Sequence, residues 1–159
     1  IRQVSTPVSR TETAQELYDR LAQLGGELLV ETVTAIADGT AQRTPQDPAE
    51  VTLAPMLSRE LSPIDWTRTA AQIHDQVRGL LPWPVASTDL FGGDKVKIFT
   101  TIETEVKTGK EPGTILRADK AGIDVACGDG TVLRITELQA PGSRRMAAAD
   151  YLRGHPITV

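Results

Sequence analysis

A chain of 159 residues that is 40% hydrophobic and 24% charged carries enough apolar side chain for a packed core, in one domain or a small domain with an appendage. Aromatic residues make up only 4%, so that core must come from Leu, Ile, Val and Ala. No run reaches the roughly 18 apolar residues of a membrane span, and no basic-then-apolar leader opens the chain. The net charge of −4 excludes a uniformly basic nucleic-acid domain, but the charge is uneven. Residues 1–62 hold five Lys/Arg against nine Asp/Glu, whereas residues 63–159 hold twelve of each.

Cys127 is the single cysteine, which excludes an internal disulfide and fits a reducing, cytoplasmic setting. His74 and His155 lie far apart, so no Cys/His metal site is expected. Asparagine is absent, so no mechanism that needs its side chain can run within this chain.

In chain order, residues 1–8 (Ile-Arg-Gln-Val-Ser-Thr-Pro-Val) alternate apolar and polar as a half-buried strand does, with Pro7 marking an edge or an end. The first residue is Ile rather than Met, which points to a start by cleavage or truncation. Thr11 is a plausible N-cap with Glu12 in the first turn. Leu17, Leu21, Leu24 and Leu28 follow at helical spacing, and Val33, Ile36 and Ala37 continue the stripe to a stop at Asp38-Gly39. Gly25-Gly26 is expected to break or kink this helix. One short strand cannot cover such a stripe, so a missing partner surface, or self-association through helix 12–38, is expected.

Residues 40–63 read as a linker, with Pro45, Pro48, Pro55 and Pro63 among few apolar residues. Thr69-Ala70-Ala71-Gln72 then has the form of a capping box. Ala70, Ile73, Val77 and Leu80 give the buried face of its helix, which Pro82-Trp83-Pro84 ends. Five short strands follow: 85–90, 95–101, 114–118, 123–127 and 131–138. Gly92-Gly93-Asp94 and Gly128-Asp129-Gly130 are the turn signals between them, and residues 146–152 predict a last short helix. Strands at this spacing suggest a small barrel.

Several segments, in this order, resemble the methionyl-tRNA formyltransferase family of bacteria. They are residues 17–22 (Leu-Tyr-Asp-Arg-Leu-Ala), Ile64-Asp65-Trp66, residues 69–73, and residues 78–84 (Arg-Gly-Leu-Leu-Pro-Trp-Pro). Pro112-Gly113-Thr114-Ile115-Leu116, Cys127-Gly128-Asp129-Gly130 and Gly142-Ser143-Arg144-Arg145-Met146 complete the set. The resemblance implies an enzyme that moves a formyl group from 10-formyltetrahydrofolate to the amino group of methionine on initiator tRNA. It also implies an α+β chain: residues 1–39 as the last strand and helix of a Rossmann-like catalytic domain, 40–63 as linker, and 64–159 as an OB-fold-like barrel with a flanking helix. The family's Asn/His/Asp constellation and its Ser-Leu-Leu-Pro folate motif have no counterpart here, and the family's catalytic Asp precedes the position where this chain begins. The chain is therefore expected to be inactive alone, without catalytic or cofactor-binding residues, and to need its catalytic domain as a partner.

What it can offer is tRNA binding, which asks for Lys and Arg on one face. Alternation puts Val96 and Ile98 toward the core and Lys95, Lys97 and Phe99 on the other side. Arg117 and Lys120 flank a turn, Arg134 lies in the last strand, and Arg144-Arg145 follow Pro141-Gly142 in a loop; Lys107 and Lys110 are expected in the loop after residue 101. Alternatively these are solvated charges balanced by neighbouring acids. Trp66 and Trp83 read as packing at an inter-domain joint or as base-stacking groups, Cys127 as a small core residue, and His74 and His155 as surface residues. Two other classes stay open: a non-catalytic binding barrel, and the matching domain of a formyltransferase acting on a nucleotide sugar or on folate.

Overall fold

The computed structural model describes residues 1–158 and divides into two compact units, residues 1–56 and 57 onward. The first unit is one long helix, α1 (Ala14–Ala37), with otherwise irregular chain before and after it apart from a single 3-10 turn at Pro48–Glu50. Its cap differs from the sequence expectation. Thr13, not Thr11, is the N-cap: its hydroxyl accepts from the Glu16 N–H, and the Glu16 carboxylate accepts from the Thr13 N–H at 2.8 Å. This reciprocal box satisfies two of the otherwise unpaired N–H groups, which a lone Thr11 could not do.

Gly25 and Gly26 do not break the helix. Neither takes the left-handed backbone that would end it, and the hydrogen-bonded run continues to Asp38, where Gly39 at φ 68° stops it. Residues 1–8 are likewise not a strand, since no second strand in this unit offers a ladder. They are held by side chains instead: Arg20 donates to Glu12 at 2.9 and 2.8 Å, to the Pro7 carbonyl at 2.8 Å and to Thr6. Leu17, Leu24 and Leu28 are half-buried, but Leu21 is exposed. Together with Tyr18, Leu29, Val33 and Ile36 it forms a second apolar row at helical spacing, interrupted at Gly25, that stands open.

The second unit holds helix α2 (Ala70–Gly79), strands β1 (Ala86–Thr88), β2 (Val96–Lys107), β3 (Ile115–Asp119), β4 (Gly122–Ala126), β5 (Thr131–Gln139) and β6 (Met146–Ala147), and helix α3 (Ala148–Gly154). It is a mixed α and β unit with one antiparallel sheet, ordered β1-β2-β5-β4-β3, with β6 beside β5. The sixth strand is two residues that had been expected to open the last helix; they pair with Leu138 and Glu137 instead. β2 also runs on through Lys107, past its expected end at Thr101, because β5 stays beside it to Thr131. Residues 57–63 pack on this unit: the Ser87 N–H donates to the Ser62 carbonyl, the Ile64 N–H to Ser87, and Gln76 to Leu61 and Pro63.

The capping box of Thr69 and Gln72 forms as expected, and Ala70, Ile73, Val77 and Leu80 are buried against the sheet. The Ala70 N–H, which has no partner within the helix, donates to Thr131 Oγ1 at 2.8 Å, so the strand after the tight turn caps the helix in front of the sheet. That turn needs glycine. A Cβ on Gly128 would stand 1.9 Å from the Thr67 carbonyl oxygen, while the Gly128 N–H donates to the carbonyls of Trp66 and Arg68. Val96, Ile98, Ile123, Val125, Leu133, Ile135 and Leu138 are fully buried between α2, α3 and the sheet, an aliphatic core as composition required.

Trp66 belongs to this core: it is buried and its Nε1 donates to Thr88 Oγ1 at 3.1 Å. His74 is half-buried, its Nδ1 at 2.9 Å from Thr101 Oγ1, rather than a solvated group on a polar face. His155 is exposed yet lies flat on Tyr151, with ring centroids 4.3 Å apart. Cys127 is buried as expected, and burial pushes its thiol up to about 11.

Candidate nucleic-acid interface

The seven cations singled out from sequence fall into two centres and a scatter, not one groove. At the first centre, β3, β4 and β5 lie side by side, with Arg117 and Arg134 both opposite Asp124 in register. Asp124 is 5% exposed and takes both: Arg134 binds it bidentately at 2.6 and 3.0 Å, and Arg117 approaches at 2.9 Å. Arg117 also lies 3.5 Å from Asp119. Two guanidinium groups here meet two carboxylates, so this centre presents little net charge to a phosphate. Donating to the Asp124 carboxylate holds the Arg134 guanidinium even more firmly protonated than usual.

The second centre lies where β2, β5 and β6 meet. A bulge opens between Ile98, opposite Leu138, and Thr100, opposite Glu137, so Phe99 is left without a ladder partner and its ring turns to the outer face. After the β5 strand, Gly142 at φ 72° turns the chain and returns Arg145 over that ring, with Cζ 4.6 Å from the centroid. The Arg145 Nη2 donates to Glu137 and stands 3.4 Å from Thr100 Oγ1, while Thr100 Oγ1 donates to Glu137 at 2.6 Å. The Thr100 hydroxyl, and then Arg145, hold the Glu137 carboxyl below the usual carboxylate range.

Beside this stack the cations stand without ion pairs. Lys97 projects from β2 opposite Gln139, whose amide donates to the Ser143 carbonyl at 2.7 Å and so ties the loop that carries Arg144. Lys95 precedes the strand, Arg144 precedes Arg145, and all three cations are exposed without a carboxylate partner among the described residues. Lys120, at the β3–β4 turn, is also exposed and has no ion-pair partner among the described residues. Lys107 closes β2 rather than lying in a loop, and Lys110 lies in the loop beyond, where its N–H donates to Thr108.

The sequence reading identified the cations but missed Asp124 and Glu137, the two acids that decide which cations are free. Trp83, in the turn beyond α2, is 51% exposed and lacks burial of the kind that fixes Trp66. Among the described residues no group of His, Cys, Asp and Glu side chains could hold a metal ion, and no helix is long and apolar enough to cross a membrane.

The family described as "Formyl transferase, C-terminal domain" matches residues 56–156. The methionyl-tRNA formyltransferase of Trichlorobacter lovleyi is 43% identical over 156 residues, covering 98% of this chain and 48% of that protein. That of Bacillus subtilis is 40% identical over 154 residues, covering 97% and 48%. Among solved structures, HypX from Aquifex aeolicus in complex with tetrahydrofolic acid superposes with a TM-score of 0.65 at 23% identity, over 92% of this chain and 26% of that one. An N-formyltransferase from Helicobacter canadensis gives 0.59 at 18%, over 85% and 47%. These two likenesses speak for the fold alone. The chain spans about half the length of the curated relatives it matches. With well over half of its residues inside the matched domain, the chain belongs to the formyl transferase C-terminal domain family.

Proposed function

We propose that this chain is the tRNA-side part of a methionyl-tRNA formyltransferase, whose whole protein passes the formyl group of 10-formyltetrahydrofolate to the amino group of methionyl initiator tRNA. The observation that carries this reading is the identity of about 40% to enzymes of that name over nearly the whole chain, although the chain spans only half of them. Formyl transfer needs a base for the amine and donors for a tetrahedral oxyanion. This chain has no asparagine, His74 Nδ1 is engaged by Thr101 and His155 Nδ1 by the Tyr151 carbonyl, and in this reading the chemistry belongs to residues outside it.

In this reading residues 1–39 end the catalytic domain, 40–63 link, and 64–159 form an OB-like barrel. The bulged β2 and the antiparallel ladder support the last assignment. Lys95, Lys97 and Arg144 meet the phosphates of the tRNA, with Lys120 as a further contact, while Arg117 and Arg134 are structural. The open row on α1 seats against the catalytic domain, or against a second copy where that domain is missing. The lone buried Cys127 fits a cytoplasmic enzyme. The sugar-directed and folate-directed alternatives draw less support, since solved structures named for such ligands are 17–23% identical, against about 40% for the methionyl-tRNA enzymes.

The reading is tested by assaying formyl transfer to methionyl initiator tRNA with this chain alone and with the whole protein. Turnover by the whole protein and none by the chain is expected. Turnover by the pure chain would refute the placement of the chemistry.

A further inference from the structure

Charge bookkeeping at the β2–β5–β6 centre separates two kinds of cation. Lys95, Lys97 and Arg144 carry unneutralised charge on exposed side chains. Arg145 does not: its guanidinium is bound to Glu137, itself held by Thr100 at 2.6 Å. A phosphate drawn to Arg145 would come up against the Glu137 carboxylate and lose much of what it gained. What Arg145 still offers is its flat face. One side lies toward the Phe99 ring, with Cζ 4.6 Å from the centroid, and the side chain remains 50% exposed. A guanidinium held at its edge by a carboxylate, backed by an aromatic ring and open to water is a surface for a planar, uncharged group.

We infer that Arg145, braced by Phe99 and Glu137, is a stacking platform for an unpaired base of RNA, while Lys95, Lys97 and Arg144 take the neighbouring phosphates. This rests on the tRNA reading above and narrows it: within a tRNA, the contact is to a loop or an end, because bases inside a duplex expose no face for stacking. Glu137 is a positioning residue. It fixes the guanidinium plane and, by cancelling its charge, makes the contact insensitive to salt while Arg144 stays salt-dependent.

The test measures binding of two RNAs of similar length to the full 159-residue chain at low salt, one a hairpin with an unpaired loop and one a blunt duplex. R145K keeps the charge and removes the flat face. It is expected to weaken the hairpin roughly tenfold, a typical loss for one stacked base, and to leave the duplex unchanged. R144A is expected to weaken both RNAs alike and to reduce the salt dependence, and E137Q to erode the preference for the hairpin. Circular dichroism of each variant checks that it folds, which the exposure of residues 144 and 145 favours. If R145K leaves hairpin binding intact, or weakens hairpin and duplex equally, the platform is wrong while the tRNA reading stands. If the unmodified chain binds neither RNA, the tRNA reading falls and takes the platform with it.

Discussion

Arg134 on β5 closes on Asp124 of β4 through two parallel hydrogen bonds, Nε to Oδ1 at 2.6 Å and Nη2 to Oδ2 at 3.0 Å. Arg117 reaches the same carboxylate from β3, so one nearly buried acid ties three neighbouring strands through their side chains. D124N removes the charge and should cost about 3 kcal/mol, the low end for breaking a buried pair because Arg117 stays solvated. Urea unfolding measures it, and a loss below roughly 1 kcal/mol would mean that the ladder alone holds the strands together.

Gly128 and Gly25 make opposite expectations of the same substitution. G128A forces a Cβ to within 1.9 Å of the Thr67 carbonyl oxygen, a backbone atom that cannot move without breaking the contact of Gly128 to Trp66 and Arg68. A loss of about 2 kcal/mol or more is expected. G25A meets nothing within 4 Å in the middle of α1 and should stabilise that helix by about 0.5–1 kcal/mol. Thermal melts of the two variants decide between them.

Cys127 links the core to alkaline pH. Its thiol is raised from 9.0 to about 11 in the folded protein, so the folded state keeps the proton that the unfolded chain gives up. The resulting stability is fully present below pH 9 and is lost as pH rises from 9 toward 11. A C127A variant should lack this component of the alkaline decline, seen by comparing unfolding at pH 8 and pH 10. The native thiol should also react slowly with a disulfide reagent at pH 8 and quickly in denaturant.

Much of the second unit was legible in the sequence because local signals agreed with packing. The Thr69–Gln72 box, the Ala70/Ile73/Val77/Leu80 face and the Gly-Asp-Gly turn each depend on residues within a few positions of one another. The failures come where a local pattern alone does not decide the structure. Alternation at residues 1–8 means a strand only where another strand is there to pair with, and Gly25-Gly26 did not stop a helix whose backbone bonds run on through it. The cations were visible, but Asp124 and Glu137 meet theirs across ladders or a loop, at separations no spacing rule encodes.

The open row Tyr18/Leu21/Leu29/Val33/Ile36 on α1 should make the chain associate as its concentration rises. Sedimentation velocity over a dilution series is expected to show this, and a double L29E/V33E change to abolish it. A monomer at the highest concentration, with the α1 amides strongly protected from exchange, would contradict the expectation.

The most direct measurement is the salt dependence of binding to initiator tRNA. Affinity of the chain is expected to fall steeply with salt, and R144A to reduce the slope of log affinity against log salt by about one counterion, with K97A doing the same. Changing Arg117 or Arg134, whose charges Asp124 already holds, should leave the slope as it was. Binding that ignores salt, or a slope that R144A and K97A leave untouched, would contradict the assignment of this surface to tRNA.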